Sequence, residues 1–86
     1  MTPSDAEIAR AIRDLAEARG AASFCPSEVA RGLSDDWRRL MPRVRAVAAG
    51  LPWLVATRAG AAVDPVATRG PIRLALRERP SGGGEA

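Results

Sequence analysis

An amphipathic pattern near the start of the chain predicts a first helix over residues 5–19. Ser4 and Glu7 form a capping-box motif, in which each side chain accepts a hydrogen bond from the backbone N–H of the other residue. Gly20 follows the last apolar position, as is common just beyond the end of a helix. The apolar residues that recur at helical spacing and form one face are Ile8, Ala11, Ile12, Leu15 and Ala16.

Two further helices are predicted in the middle of the chain. The second begins at Pro26, because proline suits the first helical position, and it ends near Gly32. Ser34 is expected to cap the third helix, with the carboxylates of Asp35 and Asp36 in its first turn, where the helix dipole favours negative charge. The apolar face of the third helix consists of Trp37, Leu40, Met41, Val44, Val47, Ala48 and Leu51.

Pro42 lies within this third segment and leaves two structures open. Proline removes a backbone hydrogen bond and clashes with the preceding turn of a helix. The helix therefore either kinks at this position or gives way to a fresh helix with Pro42 at its first position. The unbroken apolar face favours a kink or a tight junction over a gap.

The predicted core joins the apolar faces of the first and third helices. Trp37 belongs to the third face, so we interpret it as a core residue and not as a platform for a base. Trp53 stands at the start of a predicted strand, where core packing and ligand contact both remain open. The residues expected to be buried together are Ile8, Ile12, Leu15, Trp37, Leu40, Val44, Val47 and Leu51.

The last third of the chain predicts two strands joined by a long loop. Residues 53–57 form one strand, and residues 71–76 form the other, in which apolar residues alternate with arginines on the solvent face. The intervening residues 58–70 are rich in glycine, alanine and proline and are predicted as a loop. A further short strand is predicted at residues 21–24.

Three helices followed by a β-hairpin is the order of a winged helix. We therefore predict an α+β winged-helix domain over residues 4–77, in which the third helix and the wing, residues 58–70, are the usual contact elements. Residues 78–86 are predicted to be a disordered tail.

The composition restricts the class of protein. Eighty-six residues suffice for one small domain, and every apolar stretch is far shorter than the roughly 20 residues of a membrane helix. The first residues show no basic segment followed by an apolar run, so no signal peptide is predicted. The expectation is a cytoplasmic bacterial protein.

Few residues are candidates for catalysis. The sequence has no histidine, no tyrosine and one cysteine, Cys25. A thiol nucleophile needs a base, so Cys25 is interpreted as a small, partly buried residue at a helix entry. Asp35 and Asp36 are adjacent on a helix and do not face each other, and Asp64 precedes Pro65 and is expected to shape a turn. We predict that the protein is not an enzyme and holds no cofactor and no metal.

Positive charge is concentrated in the second half of the chain. All thirteen basic residues are arginine. Residues 1–30 carry a net charge of −2, whereas residues 31–79 carry a net charge of +6. The basic half is therefore the place to expect an anionic partner.

Four separated motifs resemble a known family. They are C-P-S-E-V-A at 25–30, W-R-R-L-M-P-R-V-R at 37–45, V-D-P at 63–65 and G-P-I-R-L at 70–74. In this order they resemble a family of small bacterial proteins, of winged-helix type, that is catalogued only as a domain of unknown function. The resemblance covers roughly residues 5–77. It implies the winged-helix fold and implies no activity.

The third helix and the wing carry the candidate binding surface. On the outward face of that helix, small residues lie between two flanks of arginine, a shape that suits the major groove of duplex DNA. The alternative is an adaptor that binds an acidic protein surface and no nucleic acid. The candidate nucleic-acid-binding residues are Arg38, Arg39, Arg43, Arg45, Arg58 and Arg69.

Overall fold

The computed structural model describes residues 2–77, which fold as three helices followed by a small antiparallel sheet. The predicted tail, residues 78–86, lies outside the described residues. The elements are α1 (Asp5–Arg19), α2 (Pro26–Leu33), α3 (Trp37–Ala49), β1 (Leu54–Arg58), β2 (Ala61–Ala62) and β3 (Arg73–Leu76).

The first helix begins and ends as its sequence predicts. The Ser4 N–H donates to the Glu7 carboxylate at 2.8 Å, and the Glu7 N–H donates to the Ser4 hydroxyl at 3.1 Å. Both hydrogen bonds satisfy backbone N–H groups that the start of a helix would otherwise leave unpaired. At the other end, Gly20 adopts a φ of +61° and its N–H donates to the carbonyl of Ala16. The predicted bounds of α1 are confirmed.

The junction between α2 and α3 differs from the prediction. The Ser34 N–H donates to the Ala30 carbonyl at 3.0 Å and so completes the last turn of α2. Its hydroxyl accepts a hydrogen bond from the Asp36 N–H at 3.1 Å, which fixes a turn. Asp35 and Asp36 therefore lie ahead of α3, which starts at Trp37, and the expectation that they occupy its first turn is wrong. The reason is that the Ser34 hydroxyl bonds within this turn and does not cap α3.

One continuous helix runs through Pro42. Helix α3 extends from Trp37 to Ala49 with the proline in its interior, so the alternative of a fresh helix that begins at Pro42 is wrong. Proline has no N–H, and the carbonyl of Arg38 therefore lacks its usual partner within the helix. Pro42 lies on the exposed face of the helix.

The sheet has the strand order β2-β1-β3, with both pairings antiparallel. Leu54 pairs with Leu76 and Thr57 pairs with Arg73, which confirms the predicted pairing of the two long segments. The prediction of an unbroken loop over residues 58–70 is wrong, because β2 folds back on β1 within it. Ala59 and Gly60 both have positive φ, 52° and 84°, as a two-residue type I′ hairpin turn requires.

The short strand predicted at residues 21–24 is reduced to one bridge. Phe24 and Leu74 exchange two backbone hydrogen bonds of 2.8 Å each, and this exchange joins the segment before α2 to the free edge of β3. The side chains of both residues are fully buried. The bridge therefore attaches the sheet to the helical layer at the centre of the core.

The core lies between the helices and one face of the sheet. Ile8, Ile12, Leu40 and Val44 are buried there, as predicted. The other four predicted core residues are half-buried and pack against it: Leu15, Trp37, Val47 and Leu51. The whole is an α+β arrangement that is compatible with a winged helix. Within residues 2–77, no helix has the length and apolar content that crossing a membrane requires.

Candidate functional site

The outward face of α3 is a shallow strip bordered by arginine side chains. Pro42, Ala46 and Ala49 are exposed along it. Arg38 and Arg45, seven residues apart, lie on one flank, from which Arg45 contacts the wing, and we call this the wing-side flank. Arg39 and Arg43 lie on the flank that faces the N-terminal residues, and we call this the N-terminal flank.

The arginines of the N-terminal flank are paired with carboxylates. The Arg43 guanidinium donates to the Pro3 carbonyl at 2.7 Å and to the Asp5 carboxylate. Arg39 forms an ion pair with Asp36, with 3.2 Å between Nε and Oδ2. These contacts offset the positive charge of this flank, and they leave the Arg43 side chain only 38% exposed. Pro3 lies 40 residues before Arg43 in the sequence. The helical periodicity of α3 therefore gives no indication of this contact.

The arginines of the wing-side flank and the wing bond to neutral acceptors. Arg45 donates to the carbonyl of Thr68 at 2.7 Å and to the carbonyl of Gly70. Arg58 donates to the carbonyl of Arg69. A backbone carbonyl orients a guanidinium and leaves its unit charge in place. Three successive carbonyls of the wing are thus held by two arginines whose positive charge is retained.

Arg38 lies against an aromatic ring. Its guanidinium carbon is 4.5 Å from the centroid of Trp37, and that of Arg31 is 4.4 Å from the same centroid. Cation–π attraction therefore restrains both side chains at the start of α3. Trp37 itself packs against the core, in agreement with its predicted role. The sequence prediction omitted Arg31, because it lies on α2 and reaches Trp37 only in the folded chain.

A hydrogen-bonded turn in the wing presents one apolar side chain to solvent. The Asp64 carboxylate accepts from the N–H groups of Val66 and Ala67 at 2.8 and 3.3 Å, which confirms the predicted turn. The Thr68 N–H donates to the Asp64 carbonyl at 3.0 Å. Val66, at the top of this turn, is 60% exposed. Sequence reasoning missed Val66, because a single valine in a glycine- and alanine-rich loop has no pattern that reports its exposure.

A cleft separates this turn from α3. It has a volume of about 500 Å³ and is lined by Met41, Pro42, Arg45, Val66 and Gly70. We call it the α3–wing cleft. Gly70 has a φ of +86°, and a β-carbon at this position would lie 3.2 Å from the Arg58 guanidinium. Glycine is therefore required for the close approach of Arg58 to the wing backbone.

The four arginines of the wing-side flank and the wing share one electrostatic property. Across residues 2–77, they form no ion pair with a carboxylate, in contrast to the arginines of the N-terminal flank. The sequence placed six arginines on one surface, and the structure separates them into these four and the paired Arg39 and Arg43. The four are Arg38, Arg45, Arg58 and Arg69.

Cys25 and Glu28 form a local structure at the entry of α2. The Cys25 N–H donates to the Glu28 carboxylate at 3.0 Å, and the Ser27 hydroxyl donates to the half-buried Cys25 sulfur at 3.1 Å. The hydrogen bond from Cys25 and a second one from Arg19 hold the pKa of Glu28 below its usual value. This geometry agrees with the predicted role of Cys25 at a helix entry.

Packing settles the role of Trp53, which the sequence left open. Trp53 is half-buried against the core, with the Arg13 guanidinium 5.5 Å from its ring centroid. Core packing is therefore its role in the fold. In the part of the chain that the structure describes, no three side chains of His, Cys, Asp or Glu come together as a metal site would require.

The comparisons with known proteins identify the family. A search of curated proteins found no similar sequence. One family model, described as "Protein of unknown function (DUF3253)", matches residues 5–77, which include all three helices and the sheet. The family predicted from the four sequence motifs is thus confirmed as one of unknown function. This chain belongs to the DUF3253 family.

Proposed function

We propose that this domain binds duplex DNA and has no catalytic activity. The wing-side flank of α3 and the wing form the contact surface. The observation that carries the proposal is the group of four arginines on the wing-side flank and the wing whose charge is not offset by a carboxylate within residues 2–77. Guanidinium groups contact both phosphate oxygens and the edge of guanine, so this surface has the chemistry that a DNA duplex requires.

The contact set is narrower than the sequence alone indicated. Arg38, Arg45, Arg58 and Arg69 are the proposed contacts, whereas Arg39 and Arg43 already bond to Asp36 and to the N-terminal residues. Orientation also supports three of the four. Arg45 and Arg58 are fixed by backbone carbonyls, and Arg38 is held against Trp37, so less side-chain freedom is lost when they meet a phosphate. In a bacterial cell this function places the protein in the cytoplasm, with the chromosome.

A fluorescence-anisotropy titration tests the proposal. A labelled 20-base-pair duplex of mixed sequence is titrated with the full chain at salt concentrations from about 50 to 200 mM. Nonspecific affinity of a surface with four phosphate contacts falls with salt, with a log–log slope of roughly −3 to −4. Absence of binding at about 50 mM salt and tens of micromolar protein would refute the proposal, because nonspecific binding alone is measurable there.

A protein-interaction adaptor is the second candidate, and one observation favours it. Val66 is exposed beside an apolar cleft, and exposed apolar surface is common where proteins meet. The surrounding arginines would then face an acidic protein surface. The same titration separates the two functions, since an adaptor of this kind does not bind duplex at low salt.

A further inference from the structure

The α3–wing cleft is apolar at its walls and cationic at its rim. Met41 and Pro42 of α3 form one wall, and Val66 forms the opposite wall. Of the large apolar side chains in residues 2–77, Val66 is the one that is exposed. The turn at Asp64 holds it in this position by two hydrogen bonds to the backbone. These hydrogen bonds therefore fix the backbone that presents Val66 to the cleft.

The charge around the cleft restricts what can occupy it. The Arg45 guanidinium lines the cleft and donates to the carbonyls of Thr68 and Gly70. Arg69 is exposed and directly precedes Gly70, which also lines the cleft. An anionic occupant that carries an apolar group small enough for a volume of about 500 Å³ therefore complements the cleft. In the major groove of a DNA duplex, phosphates supply the charge, and the 5-methyl group of thymine supplies an apolar contact.

We propose that the α3–wing cleft receives the 5-methyl group of thymine or of 5-methylcytosine in the major groove of duplex DNA. This inference rests on the proposed function. The exposed face of α3 has no serine, threonine, asparagine or glutamine, so apolar contact is the form of base recognition that remains beside arginine. Val66 and Met41 contact the methyl group, and Arg45 positions the wing against α3.

The test compares two pairs of labelled duplexes, and the members of each pair differ only in the 5-methyl group of the pyrimidine. They are alternating 20-mers of dA and dT, of dA and dU, of dG and dC, and of dG and 5-methyl-dC. Anisotropy at one fixed salt concentration gives the four dissociation constants for the full chain. Burial of one methyl group is expected to tighten binding about fourfold. The dT duplex should therefore bind more tightly than the dU duplex, and the methylated dC duplex more tightly than the unmodified one.

The variant V66S separates the cleft from other sources of a methyl preference. Serine removes both methyl groups of valine, and position 66 is exposed, so the fold is retained. The methyl preference should largely disappear in V66S, while the salt dependence of binding stays unchanged. Circular dichroism melting of both proteins verifies that V66S is folded.

Each outcome decides one point. A methyl effect in one pair of duplexes alone assigns the cleft to that base. Equal affinities within both pairs overturn the cleft proposal and leave the DNA-binding proposal intact. A methyl preference that persists unchanged in V66S places the methyl contact elsewhere and also overturns it. Absence of binding to all four duplexes overturns both proposals and favours the protein-interaction adaptor.

Discussion

The guanidinium of Arg45 on α3 donates a hydrogen bond to the carbonyl of Thr68, 2.7 Å away in the wing. The same side chain also reaches the carbonyl of Gly70, and Arg58 binds the carbonyl between them. Most of the wing after β2 lacks regular structure and contributes few buried side chains. Arg45 therefore attaches this part of the wing to α3, and Arg58 attaches it to the end of β1.

Replacement of Arg45 by lysine should loosen the wing without removing charge. A single ammonium group cannot form the planar fork that spans two carbonyls. We expect the free energy of unfolding to fall by about 1 kcal/mol. Backbone amide hydrogen exchange between residues 64 and 70 should become faster, while exchange within α1 should not change locally. Unchanged exchange in the wing would show that Arg45 does not hold it.

The two flanks of α3 should differ in their effect on DNA binding. The variant R38A removes one charge that no carboxylate pairs within residues 2–77, so it should flatten the log–log salt slope by up to about 0.9. R39A is the matched control, because it alters the neighbouring position on the same helix, where the guanidinium is 86% exposed but paired with Asp36. It should leave the slope nearly unchanged. Anisotropy titrations at four salt concentrations measure both slopes.

If R39A and R38A flattened the salt slope of DNA binding equally, the assignment of the contact surface to the wing-side flank would be contradicted. The variant R10A, on the exposed surface of α1, reports the effect of removing a charge at a site that lies on neither flank. Thermal melting of each variant ensures that the affinities compare folded proteins.

A pair of valine-to-alanine variants should separate the core from the cleft. Val44 is fully buried in the core, so V44A should lower the free energy of unfolding by about 1–3 kcal/mol through lost burial and the cavity that remains. Val66 is 60% exposed, and V66A should change stability by less than about 0.5 kcal/mol. Urea denaturation measures both values. Similar losses in the two variants would show that the turn at residue 66 is part of the cooperative core.

Local signals in the sequence predicted the helices well. The capping box at Ser4 marked the start of α1, and Gly20 marked its end. Hydrophobic spacing placed Leu40 and Val44 in the core. The same reasoning assigned Ser34 to the wrong helix, because its N–H completes α2 while its hydroxyl bonds to a turn. Which of the two helices Ser34 joins depends on how α2 packs on α3, and the sequence does not express this packing.

The candidate site was predicted only in part. Helical periodicity placed the arginines of α3 on the outward face but treated its two flanks as equivalent. Their difference arises from contacts that are distant in sequence, with Pro3 and Asp5 for Arg43 and with Thr68 and Gly70 for Arg45. Strand β2 was missed for a related reason. Two alanines carry no strand pattern, and the turn before them places Ala59 at a positive φ that alanine rarely adopts.

Stability should depend on the ionisation of Glu28 in acid. Its pKa lies below the usual value near 4.5, first because the Cys25 N–H donates to the carboxylate and second because Arg19 does so. Folding therefore favours the charged form. This stabilisation is fully present above about pH 4.5 and is lost as the pH falls through the lowered pKa. The variant E28Q should be less stable than the unmodified protein at pH 7, and this difference should shrink at pH 3.

Urea denaturation of both proteins at pH 7, 5, 4 and 3 measures the difference. R19A is the matched variant, since it removes the second cause of the lowered pKa and keeps the hydrogen bond from Cys25. Its pH dependence should lie between those of E28Q and the unmodified protein. A stability difference between E28Q and the unmodified protein that is the same at pH 7 and pH 3 would show that the entry of α2 gains nothing from the charge of Glu28. The amide of E28Q would then serve the Cys25 N–H as well as the carboxylate does.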